Sequence, residues 1–395
     1  MSKNIFFISA YRDVTCESSK NPDFWILNRL DSDDRFKVYS TANKVLDSSC
    51  FKSIDFLTLG YKGDIQIQKL GYNYAIYKAY KRVKDDVDII HHCEKFQVGK
   101  AYNLIPILSD ITDKTFLIGP IEIPHDIFES DFLAKTKGFE KLSRKLVYRS
   151  RGALGKIFKV LFKETIEKAD KLIACDAAVK RELSKYISPN KIEVINYGVD
   201  LSIYRGHEYD VGENNYNIVC ITGAAERRGV EYLLGAIPLI KKYYPAVKLH
   251  MRTKGHRVEE YKKITKELGI NENVVFHLER LEIGAYLDLI SKSRLLCLPT
   301  LADNYCYAVM DALCLGVPVV TTNVCSKCAS ELFDDGDIGI IVEPRSSEQL
   351  ADAILKLFND FDLCIKFSEN GLKKRGKFDL TKMVAKYIAL YEQYI

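Results

Sequence analysis

Two aspartates, Asp303 and Asp311, and a glycine-arginine turn over 223–230 are the residues of this chain whose types and spacing could do chemistry. Residues 295–298 read as a buried apolar strand that ends at Pro299, and the polar loop that follows holds Asp303. A short helical pattern then carries Asp311 and stops at Gly316 and Pro318, and 317–322 read as the next buried strand. One carboxylate thus sits just past a strand's C-terminal end, and the other follows eight positions on in a β-α-β unit. In open α/β sheets that edge is where ligands bind. The stretch 223–230, Gly-Ala-Ala-Glu-Arg-Arg-Gly-Val, lies just after another strand pattern and opens a helical one over 230–241. Gly223 permits a tight turn, and the helix start offers free N–H groups and a positive dipole end to a phosphate. Arg227 and Arg228 add two cationic forks suited to a diphosphate. Taken singly, the aspartates also read as a loop cap and a helix-start carboxylate. The arginines likewise read as a solvated basic helix start.

The elements that must position these groups alternate along the chain. Continuous apolar runs predict strands over 4–10, 38–41, 54–59, 87–91, 115–119, 171–175 and 192–194. Helical patterns lie between them, for example over 72–83, 102–109 and 177–186. Strands that alternate with helices imply βαβ units and a parallel sheet. The polar stretch 205–217 interrupts the rhythm and is the linker candidate, after which strand patterns resume at 218–222, 247–251, 274–278, 295–299, 317–321 and 338–342. The expected organisation is an N-terminal domain over 1–204, the linker over 205–217, a second domain over 218–375 and a final segment over 376–395.

Composition narrows the function classes. With 395 residues, 47% of them apolar and 28% charged, the chain can bury two cores of ordinary soluble type. A net charge of +5 is too weak to indicate nucleic-acid binding. No run of eighteen apolar residues exists and no signal-peptide pattern opens the chain, so a cytoplasmic location is expected, with all eleven cysteines reduced. The lone pair Cys325 and Cys328 has no partner pair at zinc spacing and reads as loop filling, and no metal site is expected. Residues 134–163 hold ten Lys or Arg against the single acid Glu140, interleaved with apolar residues. That pattern fits either a basic amphipathic surface for anionic lipid headgroups or a solvated face covering the core.

The residues around the two aspartates carry a family resemblance. Pro299, Ala312, Leu315-Gly316 and Pro318-Val319-Val320-Thr321-Thr322 resemble the signature of retaining glycosyltransferases of family 4 (glycosyl transferases group 1), with Asp303 and Asp311 where that family has glutamates. Gly223, Arg228 and Gly229 match its phosphate loop, although Ala224 stands at its arginine position and Arg227 is the candidate substitute. Glu331 with 334–339, 273–276, 168–175, 191–200 and 87–92 extend the resemblance over nearly the whole chain. The family's Gly-Gly loop after the first strand is replaced by Ser9-Ala10-Tyr11-Arg12, and its histidine after the middle strand is absent.

The resemblance implies an α/β fold of GT-B type: two Rossmann-like, doubly wound domains facing across a cleft, the final helix crossing back to the first. It implies transfer of a sugar from a nucleoside-diphosphate sugar to a glycan or lipid-linked acceptor, with no cofactor besides that donor and no nucleic acid. Asp303 would contact the transferred sugar and Asp311 the ribose hydroxyls. Asn304 and Tyr305 would offer loop N–H groups, and Gly223, Arg227 and Arg228 would hold the diphosphate. Asp303 and His125 are the catalytic candidates; Glu122, His125 and Gly198 are those for the acceptor side. His91 reads as a satisfied strand-end histidine, with His92 as the cleft-facing alternative. The enzyme would sit in the cytoplasm, peripheral to the inner face of the plasma membrane through 134–163. Two alternatives stay open: a non-catalytic nucleotide-sugar-binding or scaffold paralogue, and a GT-B epimerase or phosphorylase.

Overall fold

The computed structural model describes residues 2–9, 13–14, 22–61, 70–93, 96–98, 101–122, 156–301, 303, 306–328, 330–333 and 338–395. They form two compact units. The first holds the described residues up to Val199 together with Leu380–Ile395, and the second is Asp200–Asp379.

The first unit is built on a parallel sheet whose main strands are β1 (Lys3–Ile8), β2 (Phe36–Ala42), β3 (Asp55–Thr58), β4 (Ile89–His92), β5 (Thr115–Glu122), β6 (Lys171–Ala174) and β7 (Ile192–Val194). Their order is β7-β6-β5-β4-β1-β2-β3, with the short strand Phe96–Gln97 added beside the end of β5. Nearly every residue of β1, β4 and β5 is buried, as expected of parallel strands covered on both faces. The last helix of the chain, Leu380–Glu392, belongs to this unit and buries Leu380, Met383, Val384, Tyr387, Ile388 and Tyr391 at helical spacing. The core under it also takes Ile5, Phe7, Leu27 and Ile173.

Two histidines at the end of β4 are wholly buried. The Nε2–H of His91 donates to the Gly119 carbonyl (3.0 Å), which leaves Nδ1 to accept from the Tyr391 hydroxyl (2.5 Å). His92 accepts at Nδ1 from the Asn103 side-chain amide (3.0 Å) and packs edge-on against Phe96. Burial holds both rings down to about 3. Each is neutral when folded and charges on unfolding below pH 6.5, so its contribution is intact above that pH and is lost as pH falls towards 3. The expected loss is about 1.4 kcal/mol per histidine per pH unit. Urea unfolding followed at pH 6.5 and 5.5 checks this, and His92→Gln should reduce the slope by about half; an unchanged slope contradicts a neutral buried ring.

The second unit repeats the layout with β8 (Asn217–Ile221), β9 (Lys248–Arg252), β10 (Val274–His277), β11 (Leu295–Leu298), β12 (Val319–Thr322) and β13 (Gly339–Val342). The order is β10-β9-β8-β11-β12-β13, all parallel. This is the doubly wound arrangement, with its switch point between β8 and β11. Helices α1 (Val230–Lys241) and α2 (Ser347–Asn359) seal one face through Leu233, Leu234, Ile237, Leu350, Ile354 and Leu357.

Three expectations need correction. Residues 205–217 are no free linker: Tyr209 N–H donates to the Leu315 carbonyl (2.8 Å), and the Asn215 side chain donates to the Lys292 carbonyl (3.0 Å). The polar composition reflects a surface strap whose backbone is tied to the second unit, and the chain passes between units at Val199 and Asp200. The buried Arg294 completes that tie, donating to the Leu357, Phe358 and Gly212 carbonyls. The Cys325–Cys328 stretch is helical rather than loop, within Asn323–Cys328, and seats Cys325 Sγ 2.7 Å from Cys306 Sγ. Finally, Cys50 takes part in a disulfide, so not all eleven cysteines are reduced. Among the described residues no helix is long and apolar enough to cross a membrane.

Candidate functional site

The switch point of the second unit brings together the two stretches singled out from the sequence. The loop after β8 begins at Gly223, and the loop after β11 runs through Pro299 to Asp303. They are stitched side by side: Leu301 N–H donates to the Arg227 carbonyl (2.8 Å), and the Thr300 hydroxyl donates to the same oxygen (3.3 Å). Gly229 makes the approach possible. Its φ of 62° is left-handed, and a Cβ there would collide with the Pro299 carbonyl. On the other side, Ala224 N–H donates to the Lys254 carbonyl (3.0 Å), which ties the β8 loop to the loop after β9. Gly255 lies against Ala224 at φ 145°, so this second seam also excludes a side chain.

Within this frame the side chains 75 positions apart converge. Arg228 Nη1 donates to Asp303 Oδ2, and Arg227 Nη1 lies 3.7 Å from Asp303 Oδ1. The Asp303 side chain is 7% exposed and Arg228 19%, so the pair is largely shielded from water, where a charge-assisted bond is strengthened. Arg227 is 32% exposed and forms the open side. The Cys220 thiol, on the face of β8 below this loop, is pushed up to about 12 by burial, a rise that Arg228 opposes.

Asp311 lies on the helix Tyr307–Leu315, which starts after Cys306 and stops at the left-handed Gly316. Its two oxygens accept from Tyr204 and Tyr286 hydroxyls, each at 2.6 Å. Both tyrosines are pushed up, first by burial and next by the Asp311 charge. The carboxylate expected to meet ribose hydroxyls therefore already holds two hydroxyl donors from its own unit. No sequence signal pointed to Tyr204 or Tyr286, which are 107 and 25 residues from Asp311.

The remaining candidates fall in the first unit or outside the described residues. Glu122, at the end of β5, is buried and accepts from the Tyr197 hydroxyl (2.9 Å). Gly198, next along from Tyr197, has its open side filled by the Leu380 backbone, 2.7 Å from where a Cβ would sit. The close approach that this glycine allows is thus made by the final helix. Asn304, Tyr305 and His125 lie outside the described residues, as does most of 134–163. The described end of that basic segment is helical over 156–167, with Ile157 and Val160 exposed between Lys156, Lys159 and Lys163. Among the described residues no three His, Cys, Asp or Glu side chains come together to hold a metal.

The two Rossmann-like parallel units make up a fold of GT-B type, and in the second unit the cationic and anionic groups meet at the switch point. Residues 208–374 match the family model described as glycosyl transferases group 1. An uncharacterized glycosyltransferase of Methanocaldococcus jannaschii is 25% identical over 79% of this chain and 92% of its own length. The MMP alpha-(1->4)-mannosyltransferase of Mycolicibacterium hassiacum is 23% identical over 53% of this chain, which spans half of that relative. In fold, the chain is similar to WaaG, a glycosyltransferase involved in lipopolysaccharide biosynthesis, with a TM-score of 0.65, 17% identity and coverage of 97% and 98%.

Proposed function

We propose that the chain is a retaining hexosyltransferase of family 4 type, which moves a sugar from a nucleoside-diphosphate sugar to a lipid-linked or cell-surface glycan precursor. The convergence of Arg228 and Arg227 on Asp303 carries this reading, because two guanidinium forks of a kind suited to phosphate lie beside a carboxylate of a kind suited to hydroxyls. In this reading the guanidinium groups neutralise the charge that develops on the departing diphosphate. Asp303 holds hydroxyls of the transferred sugar, and Asp311 takes ribose hydroxyls. No cofactor beyond the donor is required. The names of the relatives, a mannosyltransferase and an enzyme of lipopolysaccharide biosynthesis, support an α-linked product and a glycolipid-type acceptor. Exposed Ile157 and Val160 among lysines support a surface for anionic lipid, peripheral to the membrane.

The experiment is product analysis by NMR after incubation with UDP-, GDP- and ADP-sugars and short-chain lipid-linked acceptors. An axial anomeric linkage from an axial donor supports the reading, and inversion contradicts it. The two tyrosine hydroxyls already held by Asp311 favour one second reading, a nucleotide-sugar-binding paralogue without turnover. Donor binding with neither transfer nor donor hydrolysis selects it.

A further inference from the structure

Cys306 and Cys325 meet sulfur to sulfur inside the second unit. The Cys325 thiol donates to the Cys306 sulfur, and the two Sγ atoms are 2.7 Å apart. Neither residue takes part in a disulfide, and they are 2% and 0% exposed. The two lie 19 positions apart, on different elements. Cys306 is the N-cap of the helix Tyr307–Leu315, which carries Asp311, and Cys325 lies in the helix Asn323–Cys328, just after β12. The fold of this β-α-β unit therefore makes the pair, whereas the local spacing pairs Cys325 with Cys328.

The separation decides what such a pair can do. Two thiolates that share a tetrahedral zinc ion lie about 3.8 Å apart, given Zn–S bonds of about 2.3 Å. The Cys306 and Cys325 sulfurs are too close for that and need little movement to bond to each other. Their placement also gives them different parts. The N–H groups at a helix start favour a thiolate, so Cys306 is the sulfur that reacts first, with Cys325 in place to resolve it. A peroxide is the class of oxidant small enough to reach so buried a sulfur. The Cys306 thiolate attacks one peroxide oxygen and the O–O bond breaks. The departing hydroxide takes up the proton that the thiol gave up and becomes water, leaving Cys306 as a sulfenic acid. The Cys325 sulfur then attacks the Cys306 sulfur, the S–O bond breaks, and that hydroxide leaves with the Cys325 proton as a second water. Two thiols and one peroxide thus give one disulfide and two waters, with the sulfurs oxidised and the peroxide reduced.

We infer that Cys306 and Cys325 are a peroxide-oxidisable pair whose disulfide closes the stretch 306–325 into a ring that contains Asp311. The test exposes the full chain to hydrogen peroxide, alkylates the remaining thiols during unfolding, and maps tryptic peptides by mass spectrometry without reductant. Cleavage after Lys327 keeps Cys306 and Cys325 together in 295–327 and places Cys328 in another peptide. The expected product is 295–327 with two hydrogens fewer and with only Cys297 and Cys314 alkylated, a change that dithiothreitol reverses. In Cys325→Ser, Cys306 should stay as a sulfenic acid that dimedone traps, and in Cys306→Ser, Cys325 should stay reduced. The oxidised wild type should melt about 5 °C or more above the reduced protein, because a cross-link over a loop of this length restricts the unfolded chain. A bond between Cys325 and Cys328, which would join two tryptic peptides, overturns the inference. So does a 295–327 peptide alkylated at all four cysteines, or a lower melting temperature after oxidation.

Discussion

Asp303→Asn is expected to tighten the binding of a nucleoside diphosphate while it stops sugar transfer. In the unliganded protein the Asp303 carboxylate occupies Arg228 and attracts Arg227, so an arriving diphosphate must compete with it. Asparagine keeps the shape and removes the charge that both forks face. Tightening by about tenfold corresponds to 1.4 kcal/mol, less than one full charge-assisted bond. Transfer should fall by about a hundredfold or more, because the carboxylate that would hold the sugar's hydroxyls in the transition state is gone. The unliganded variant should also melt lower than wild type, since a largely shielded Arg228 loses its counter-charge, and a diphosphate should restore it. Titration calorimetry paired with a transfer assay reads both signs. Weaker diphosphate binding would show that Asp303 assists the phosphates rather than competing with them.

The second large effect is at Gly229. Alanine there carries the cost of a left-handed backbone, about 1–2 kcal/mol, and must also push its Cβ into the Pro299 carbonyl. The two loops would have to separate, breaking the bonds from Leu301 and Thr300 to the Arg227 carbonyl. A total destabilisation of about 3–4 kcal/mol is expected, with nucleotide affinity reduced more than about tenfold. Gly206 is the internal control. It has φ 80° but open space around its missing side chain, so Gly206→Ala should cost only about 1–2 kcal/mol and leave nucleotide binding intact. Equal costs at the two positions would show that the seam between loops does not matter.

Much of this architecture can be read from the sequence because parallel strands buried on both faces are continuous apolar runs. The main strands of both sheets lie within three residues of the runs that predicted them, and Val230–Lys241 matches to the residue. The two-residue strands Asp13–Val14 and Lys44–Val45 carry no such run and were invisible. The site divides in the same way. The Gly223 and Asp303 loops announce themselves through local turn and charge chemistry. The grip of Tyr204 and Tyr286 on Asp311 does not, because it joins residues from three separate elements with no shared pattern. Gly198 was legible only in part for a related reason: a glycine signals close approach but not what approaches, and here the Leu380 backbone is the neighbour.

The switch point of the second unit is expected to bind a nucleoside diphosphate through Arg228. The most direct measurement is calorimetric titration of wild type and Arg228→Ala with UDP, GDP and ADP at fixed pH and salt. One of the three should bind wild type, and Arg228→Ala should weaken it by about tenfold or more while the protein stays folded. Binding of none of the three, or binding that Arg228→Ala leaves unchanged, contradicts it.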